Sequence, residues 1–213
     1  MRDTKTRILD AAEKAIIEHG AHKATLRMIT AEANVNLAAI NYHFGSKENL
    51  VDEIFAKYIW PMEEDRIRRL DKAEAEAGEA GPDLETIIRC YLEPFLDFIE
   101  KHPDHNHLFF QLHKPTGSWK RFRWQAYRLI EPGLNRFFMA LSRALPDMPR
   151  ESLLARMAFM LSSITLLLNN YWIVWEFQAL FALSYTPQQL VDELVAYTAA
   201  GFRGELADKP KRH

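Results

Sequence analysis

A single cysteine, Cys90, leaves this chain of 213 residues no intramolecular disulfide, and that usage fits a reducing cytoplasm. No long apolar run is present either. The most hydrophobic stretch, 157–168, is interrupted by Ser162, Ser163 and Thr165 and closed by Asn169-Asn170, short of the roughly 20 residues a bilayer span needs. Charge without a following apolar segment at Met1 to Arg7 gives no secretory signal, so a cytoplasmic protein without membrane partners is expected. A Gly-rich phosphate loop, a nucleophile elbow and a paired-carboxylate signature are all missing, which points away from enzymes: no catalytic residue and no cofactor is assigned. Strand-like alternation, internal repeats and low-complexity tracts are absent as well. Finally, no basic surplus announces nucleic acid: 27 Lys+Arg stand against 29 Asp+Glu, and residues 1–60 carry eight of each. That counts mildly against DNA binding unless charge is placed locally.

What is present is helical periodicity, and an all-α fold is expected. Thr4 to about His19 carries Ile8, Ala12, Ala15 and Ile16 on one face and stops at Gly20. Thr25 caps the next helix, and Ser46 caps a fourth that carries Leu50, Val51, Ile54, Phe55 and Tyr58. Trp60-Pro61 is expected to kink or interrupt that helix, and Glu63 to Ala77 reads as a charged, solvated one. Further helices are predicted over Leu84–Lys101, over Ser118–Leu145 with a disturbance at Pro132-Gly133, and over Glu151–Leu183. The last runs from Pro187 to about Phe202, opened by the capping box Thr186-Pro187-Gln188-Gln189.

Residues 29–47 carry the most information. Ile29 and Ala33 lie one helical turn apart, as do Ile40 and Phe44, and with Val35 between them they form a small shared core for two short helices. Asn34 tolerates the left-handed conformation a tight turn needs, and Asn36 is a good N-cap for the second helix. A helix pair of this kind fits a DNA major groove. Leu37, Ala38, Asn41, Tyr42 and His43 remain outside, and no Asp or Glu occurs from Ala33 to Lys47. An acid-free surface suits a polyanion. Lys47 near a helix N-terminus offers a charge and free amides to a phosphate. Asn41 can pair with adenine, and Ala38 or Leu37 can touch a thymine methyl; the bland alternative leaves Asn41 merely solvated.

The helix near residue 4, Gly20, Thr25, the helix-turn-helix and His43-Phe44-x-x-Lys47-x-x-Leu50 together resemble the TetR family of transcriptional regulators. Within it, Val35 to Lys47, and Leu145-Pro146-x-x-Pro149 before Arg156-Met157-x-Phe159-Met160, are similar to the fatty-acid-responsive PsrA-like subset. Asn34 replaces the usual turn glycine, and Asn41 stands where many members have Tyr. The resemblance implies a homodimer of about nine helices per chain. A helix-turn-helix domain would span 1–48 and an effector-binding and dimerisation domain 49–205, with 206–213 a disordered tail or, alternatively, a nucleic-acid arm. It implies that Tyr42, His43 and Lys47 meet phosphates while Leu37, Ala38 and Asn41 lie nearest base edges; Thr25, Arg27 and Asn36 complete the DNA-facing set.

The second half adds an effector and a partner. Leu154, Met157, Leu161, Ile164, Leu168, Tyr171 and Trp175 step by three and four like a bundle seam, on a helix apolar nearly all round. A dimer interface is expected at Leu154, Leu161, Ile164 and Leu168, beside Leu190, Leu194 and Thr198 of the last helix; an interior helix of one monomer is the alternative. An apolar pocket is expected from Phe95, Phe98, Phe110, Trp119 and Phe122 with Met160 and Trp172, Asn169 supplying a polar anchor inside an apolar helix. Each aromatic taken singly is also a plain core residue. His102, His105, His107 and His113 could ligate a metal, but no second cluster completes a site, and a solvated loop is preferred. Lys120-Arg121-x-Arg123 reads as an outer helix face rather than a coenzyme A phosphate site, and Cys90 as packing. The expected function is a repressor that binds a palindromic operator in double-stranded DNA as a homodimer and is released by a small apolar effector, such as a fatty acid or acyl-CoA. The alternatives are a protein-interaction module, or an enzyme or carrier with a vestigial helix-turn-helix.

Overall fold

The computed structural model describes residues 3–20, 23–102, 119–169, 180–182, 184 and 186–205. Eight α-helices succeed one another among them: α1 Thr4–His19, α2 Leu26–Ala33, α3 Leu37–Phe44, α4 Lys47–Ala77, α5 Leu84–Lys101, α6 Trp119–Ala144, α7 Arg150–Asn169 and α8 Pro187–Arg203. A 3-10 turn, Gly78–Ala80, separates α4 from α5. The described residues contain no strand, and none of their helices is long and apolar enough to cross a membrane.

Local chemistry sets the helix ends. Thr25 and Asn36 accept backbone N–H bonds from Met28 and Ala39 at 3.2 and 2.9 Å, and Ser46 does the same for Asn49 at 3.1 Å. The Thr186 box closes reciprocally with Gln189. Each such cap contributes about 1 kcal/mol by satisfying amides that the first turn leaves without a partner.

The chain divides into two compact units, Met1–Glu64 with Asp97–Pro132, and Asp65–Leu96 with Gly133–His213. In the first unit α1 packs on α2 and α3. Ile8, Ala12 and Ile16 of α1, Ile29 of α2, Ile40 and Phe44 of α3, and Leu50 and Ile54 of α4 are all nearly inaccessible to solvent. In the second unit the core joins Leu70, Ile87, Ile88, Tyr91 and Leu92 to Phe137, Leu141, Leu153, Met157, Val191, Val195 and Phe202. The Tyr91 and Phe137 rings meet edge to face at 5.0 Å. Ion pairs rim this core, among them Arg89–Asp192 at 2.6 Å and Arg136–Glu74 at 2.9 Å. They are exposed enough that each adds little beside the apolar burial.

Two expectations need correction, and a third falls partly outside the described residues. Of the kink or interruption expected at Trp60-Pro61, the interruption is absent: Pro61 removes one helix hydrogen bond, but Ile59 and Met62 close to it are buried and α4 runs through. The stretch 63–77 is not simply solvated. Arg66, Leu70 and Ala73, spaced by four and three, form a buried stripe. Arg66 can lie inside because its Nε donates to the Tyr91 carbonyl at 2.9 Å and its guanidinium sits 4.0 Å from the Tyr91 ring centre. The helix read over Glu151–Leu183 is described as α7 from Arg150 to Asn169; residues 170–179 and 183 lie outside the described set.

Candidate nucleic-acid interface

The turn between α2 and α3 is built from backbone geometry. Asn34 adopts φ 49 and ψ 55, the left-handed region. Its N–H bonds the Ala31 carbonyl at 3.2 Å and the Val35 N–H bonds Thr30 at 3.0 Å, the paired closure of a Schellman motif. Arg7 of α1 reaches across to donate to the Ala33 carbonyl and, at 2.9 Å, to that of Asn34. A cation on the last carbonyls of α2 also complements the helix dipole. Replacing Asn34 by Gly should change stability by less than about 1 kcal/mol, while Asn34→Val should cost about 1–2 kcal/mol, because a β-branched residue resists that backbone. Urea denaturation of the two variants measures the difference.

Locked in this way, α3 buries Ile40 and Phe44 and turns Leu37, Ala38, Asn41 and Tyr42 to solvent. Tyr42 is 85% exposed, so it contributes nothing to the core of its own chain. Its ring meets that of His43 edge-on at 5.1 Å, and His43 is half-buried. The far end of α3 is fixed by Gly45 at φ 75 and by Asn49, whose Nδ2 donates to the Phe44 carbonyl at 2.7 Å. Gly45 therefore occupies a backbone region that side chains rarely enter.

Lys47, the first residue of α4, is half-buried, and burial holds its ammonium below the usual lysine range against the opposing pull of Glu48. A phosphate at this helix N-terminus would offset that cost. Thr25 and Arg27 are exposed at the start of α2, and Asn36 at the start of α3. The acid nearest on α2, Glu32, is engaged by Lys14 at 2.7 Å, and its hydrogen bond raises the Lys14 pKa. The surface can present polar and cationic groups to a polyanion without an opposing carboxylate on α3. Sequence reasoning missed Arg7 and Asn49. The Ser46-x-x-Asn49 spacing held a signal for the second, whereas Arg7 lies 26 residues from its partner.

Of the effector-pocket set, Phe95 and Phe98 are buried one turn apart on α5. Met160 lines a cleft of about 250 Å³ between α7 and α8, with Arg156, Phe159, Tyr197 and Gly201. The side chains of Trp119, Phe122 and Asn169, like all of Phe110 and Trp172, lie outside the described set. Of the interface set, Leu154 is exposed, Leu161, Leu190 and Leu194 are half-buried, and Thr198 is buried in its own chain; the side chains of Ile164 and Leu168 are not described. Phe159 and Tyr197, 69% and 71% exposed, are the large apolar groups that α7 and α8 show to solvent beside that cleft.

No group of three metal-ligating side chains occurs among the described residues. His102 stacks on aromatic rings, and His105, His107 and His113 lie outside the described set. Burial pushes the Cys90 thiol up to about 11, which makes it an inert packing group.

Residues 8–54 match the bacterial regulatory proteins of the tetR family, and residues 89–201 match the tetracyclin repressor-like C-terminal domain. The HTH-type transcriptional regulator TtgR of Pseudomonas putida is 28% identical over 96 residues, 45% of either chain. The uncharacterized HTH-type transcriptional regulator YvkB of Bacillus subtilis is 33% identical over 93 residues, 44% of this chain and 46% of that one. The chain spans about half the length of the curated relatives it matches. Among solved structures, the fatty acid degradation regulator FadR from Bacillus halodurans superposes with a TM-score of 0.64 at 18% identity, over 96% of this chain and 99% of that one. The TetR family regulator PfmR from Thermus thermophilus gives 0.55 at 17% identity, over 97% and 100%. At such identities the likeness is one of fold. The matched segments take in the helix-turn-helix and most of the helices that follow it, and the chain belongs to the tetR family of bacterial regulatory proteins.

Proposed function

We propose that this chain is a repressor that binds a palindromic operator as a homodimer and leaves it when an apolar, fatty-acyl-type effector binds the second domain. One observation carries the reading: a helix-turn-helix locked by Asn34 and Arg7 whose exposed α3 face holds Leu37, Ala38, Asn41 and Tyr42 and no acid. In the proposed complex α3 enters the major groove. Asn41 faces a base edge with Leu37 and Ala38 beside it, and Tyr42, His43 and Lys47 take phosphates. Thr25, Arg27 and Asn36 border the contacted backbone. The functional division at about residue 48 belongs to this reading.

A second copy is proposed to cover the face of α7 and α8 that carries Phe159 and Tyr197 beside their shared cleft. Two large exposed side chains side by side, Phe159 and Tyr197, offer an association surface. Gly201 on α8 supports this, because a Cβ there would meet nothing within 4 Å. The chain's own packing does not require that glycine, and the flat spot suits a neighbouring helix.

The acyl class is supported by the aromatic and Met content of the second half, by the resemblance to PsrA-like regulators, and by the likeness of fold to a protein described as a fatty acid degradation regulator. Selection of bound genomic fragments should return inverted half-sites about one helical turn apart. Acyl chains, acyl-CoAs and planar aromatic compounds are then compared by melting temperature and operator release. An acyl ligand should raise the melting temperature and weaken operator binding by a coupling of about 1–3 kcal/mol. Release by none of the three classes would remove the effector half of the proposal. Lys47→Ala should weaken binding to all sequences alike and lower the salt slope by roughly one unit; an unchanged slope would take Lys47 off the phosphate backbone.

A further inference from the structure

We propose that Tyr58 is the positioning residue through which α5 sets the placement of α1: its hydroxyl grips α1 at Glu13 while its ring is gripped by the last turn of α5. The Tyr58 hydroxyl donates to Glu13 Oε1, and Lys57, its neighbour on α4, places Nζ 2.7 Å from the other oxygen. On the opposite side the Tyr58 ring meets Phe98 at 5.5 Å and His102 at 5.8 Å, both edge to face. Phe98 and His102, one turn apart, lie against each other at 4.9 Å. Residues from three helices or their ends thus meet at one phenol, and Glu13, Lys57, Tyr58, Phe98 and His102 all fall within the first unit. Further back, α5 supplies Ile87, Ile88, Tyr91 and Leu92 to the core of the second unit, so one helix carries both sets of contacts.

Magnitudes single out Tyr58 rather than Lys57. Lys57 is 46% exposed and its ion pair is screened by solvent. The Glu13 side chain is only 14% exposed, and burial together with the Glu13 carboxylate raises the phenol pKa, so the hydroxyl keeps its proton and remains a donor. A hydrogen bond to a carboxylate tolerates little change of angle, whereas ring edges slide. A small movement of the last turn of α5 is therefore felt at Glu13 as a bond kept or lost.

The inference rests on reading the chain as an effector-released DNA binder, but its test needs neither DNA nor effector, so the two can fail separately. Hydrogen exchange of the full chain is followed in α1 after His102→Ala, in the wild-type background and in Tyr58→Phe, which keeps the ring and removes the hydroxyl. His102→Gln, which loses only the aromatic face, serves as the gentler second variant, and amides of α7 and α8 report that each protein is folded. In the wild-type background, loss of the His102 ring should lower protection around Glu13 by roughly tenfold. In Tyr58→Phe the same loss should change α1 by less than about twofold, because the link is already cut. Lys57→Ala should leave the His102 effect intact. Equal loss of α1 protection in both backgrounds, or loss in neither, would overturn the proposal.

Discussion

Phe159→Glu combined with Tyr197→Glu is expected to yield a folded monomer whose operator affinity is lower by about 10²–10⁴-fold, the loss of holding two half-sites at once. Both side chains stand mostly in solvent, on helices that pack against each other, so neither substitution opens a hole in the chain's own core. In a dimer joined through this face, four carboxylates would enter an apolar contact without partners, which breaks it. Substitution at Leu161 or Leu194 would be ambiguous, since both pack partly against the core of their own unit. Sedimentation of the double variant, beside its melting curve and a binding titration, separates the cases. A persistent dimer with wild-type operator affinity would mean that a different face makes the contact.

Phe137→Ala should cost about 3–5 kcal/mol, a large share of the roughly 5–15 kcal/mol that holds a domain together. Phe137 is 1% exposed and sits edge-on to Tyr91, whose ring and carbonyl in turn hold the buried Arg66. Removing it leaves a cavity beside a buried charge, so transfer and cavity losses are joined by weaker support for the guanidinium. The urea midpoint should fall sharply, while Leu180→Ala, at a position 73% exposed, should change stability by less than about 0.5 kcal/mol. A loss below about 1 kcal/mol for Phe137→Ala would contradict the core described above.

Features that depend on neighbours three or four residues away were legible in the sequence. Thr25, Asn36, Ser46 and Thr186 cap the helices they precede, and Asn34 takes the left-handed turn, because each partner lies within one helical turn. Contacts distant in sequence were not legible. Arg7 steadies the turn from 26 residues away, and Arg66 is hidden by Tyr91, 25 residues on. The faces of α7 were obscured for another reason: a helix apolar nearly all round has no phase to read. Leu153, Met157 and Met160 point to the core, Leu161 lies at its edge, and Leu154 and Phe159 are exposed. The same ambiguity affects the aromatics of the second half. Phe95 and Phe98, one turn apart on α5, are both buried, and spacing alone does not tell a core aromatic from one that lines a cavity.

The central claim is that two copies of α3 read DNA, and selection from a randomised duplex library with wild-type protein and with Asn41→Ala tests it most directly. The wild type should enrich two inverted half-sites about one helical turn apart. Asn41→Ala should keep that spacing and lose discrimination at the same one or two positions in both halves, by about 1–3 kcal/mol at each. Enrichment of no sequence, or an identical preference from both proteins, would contradict it.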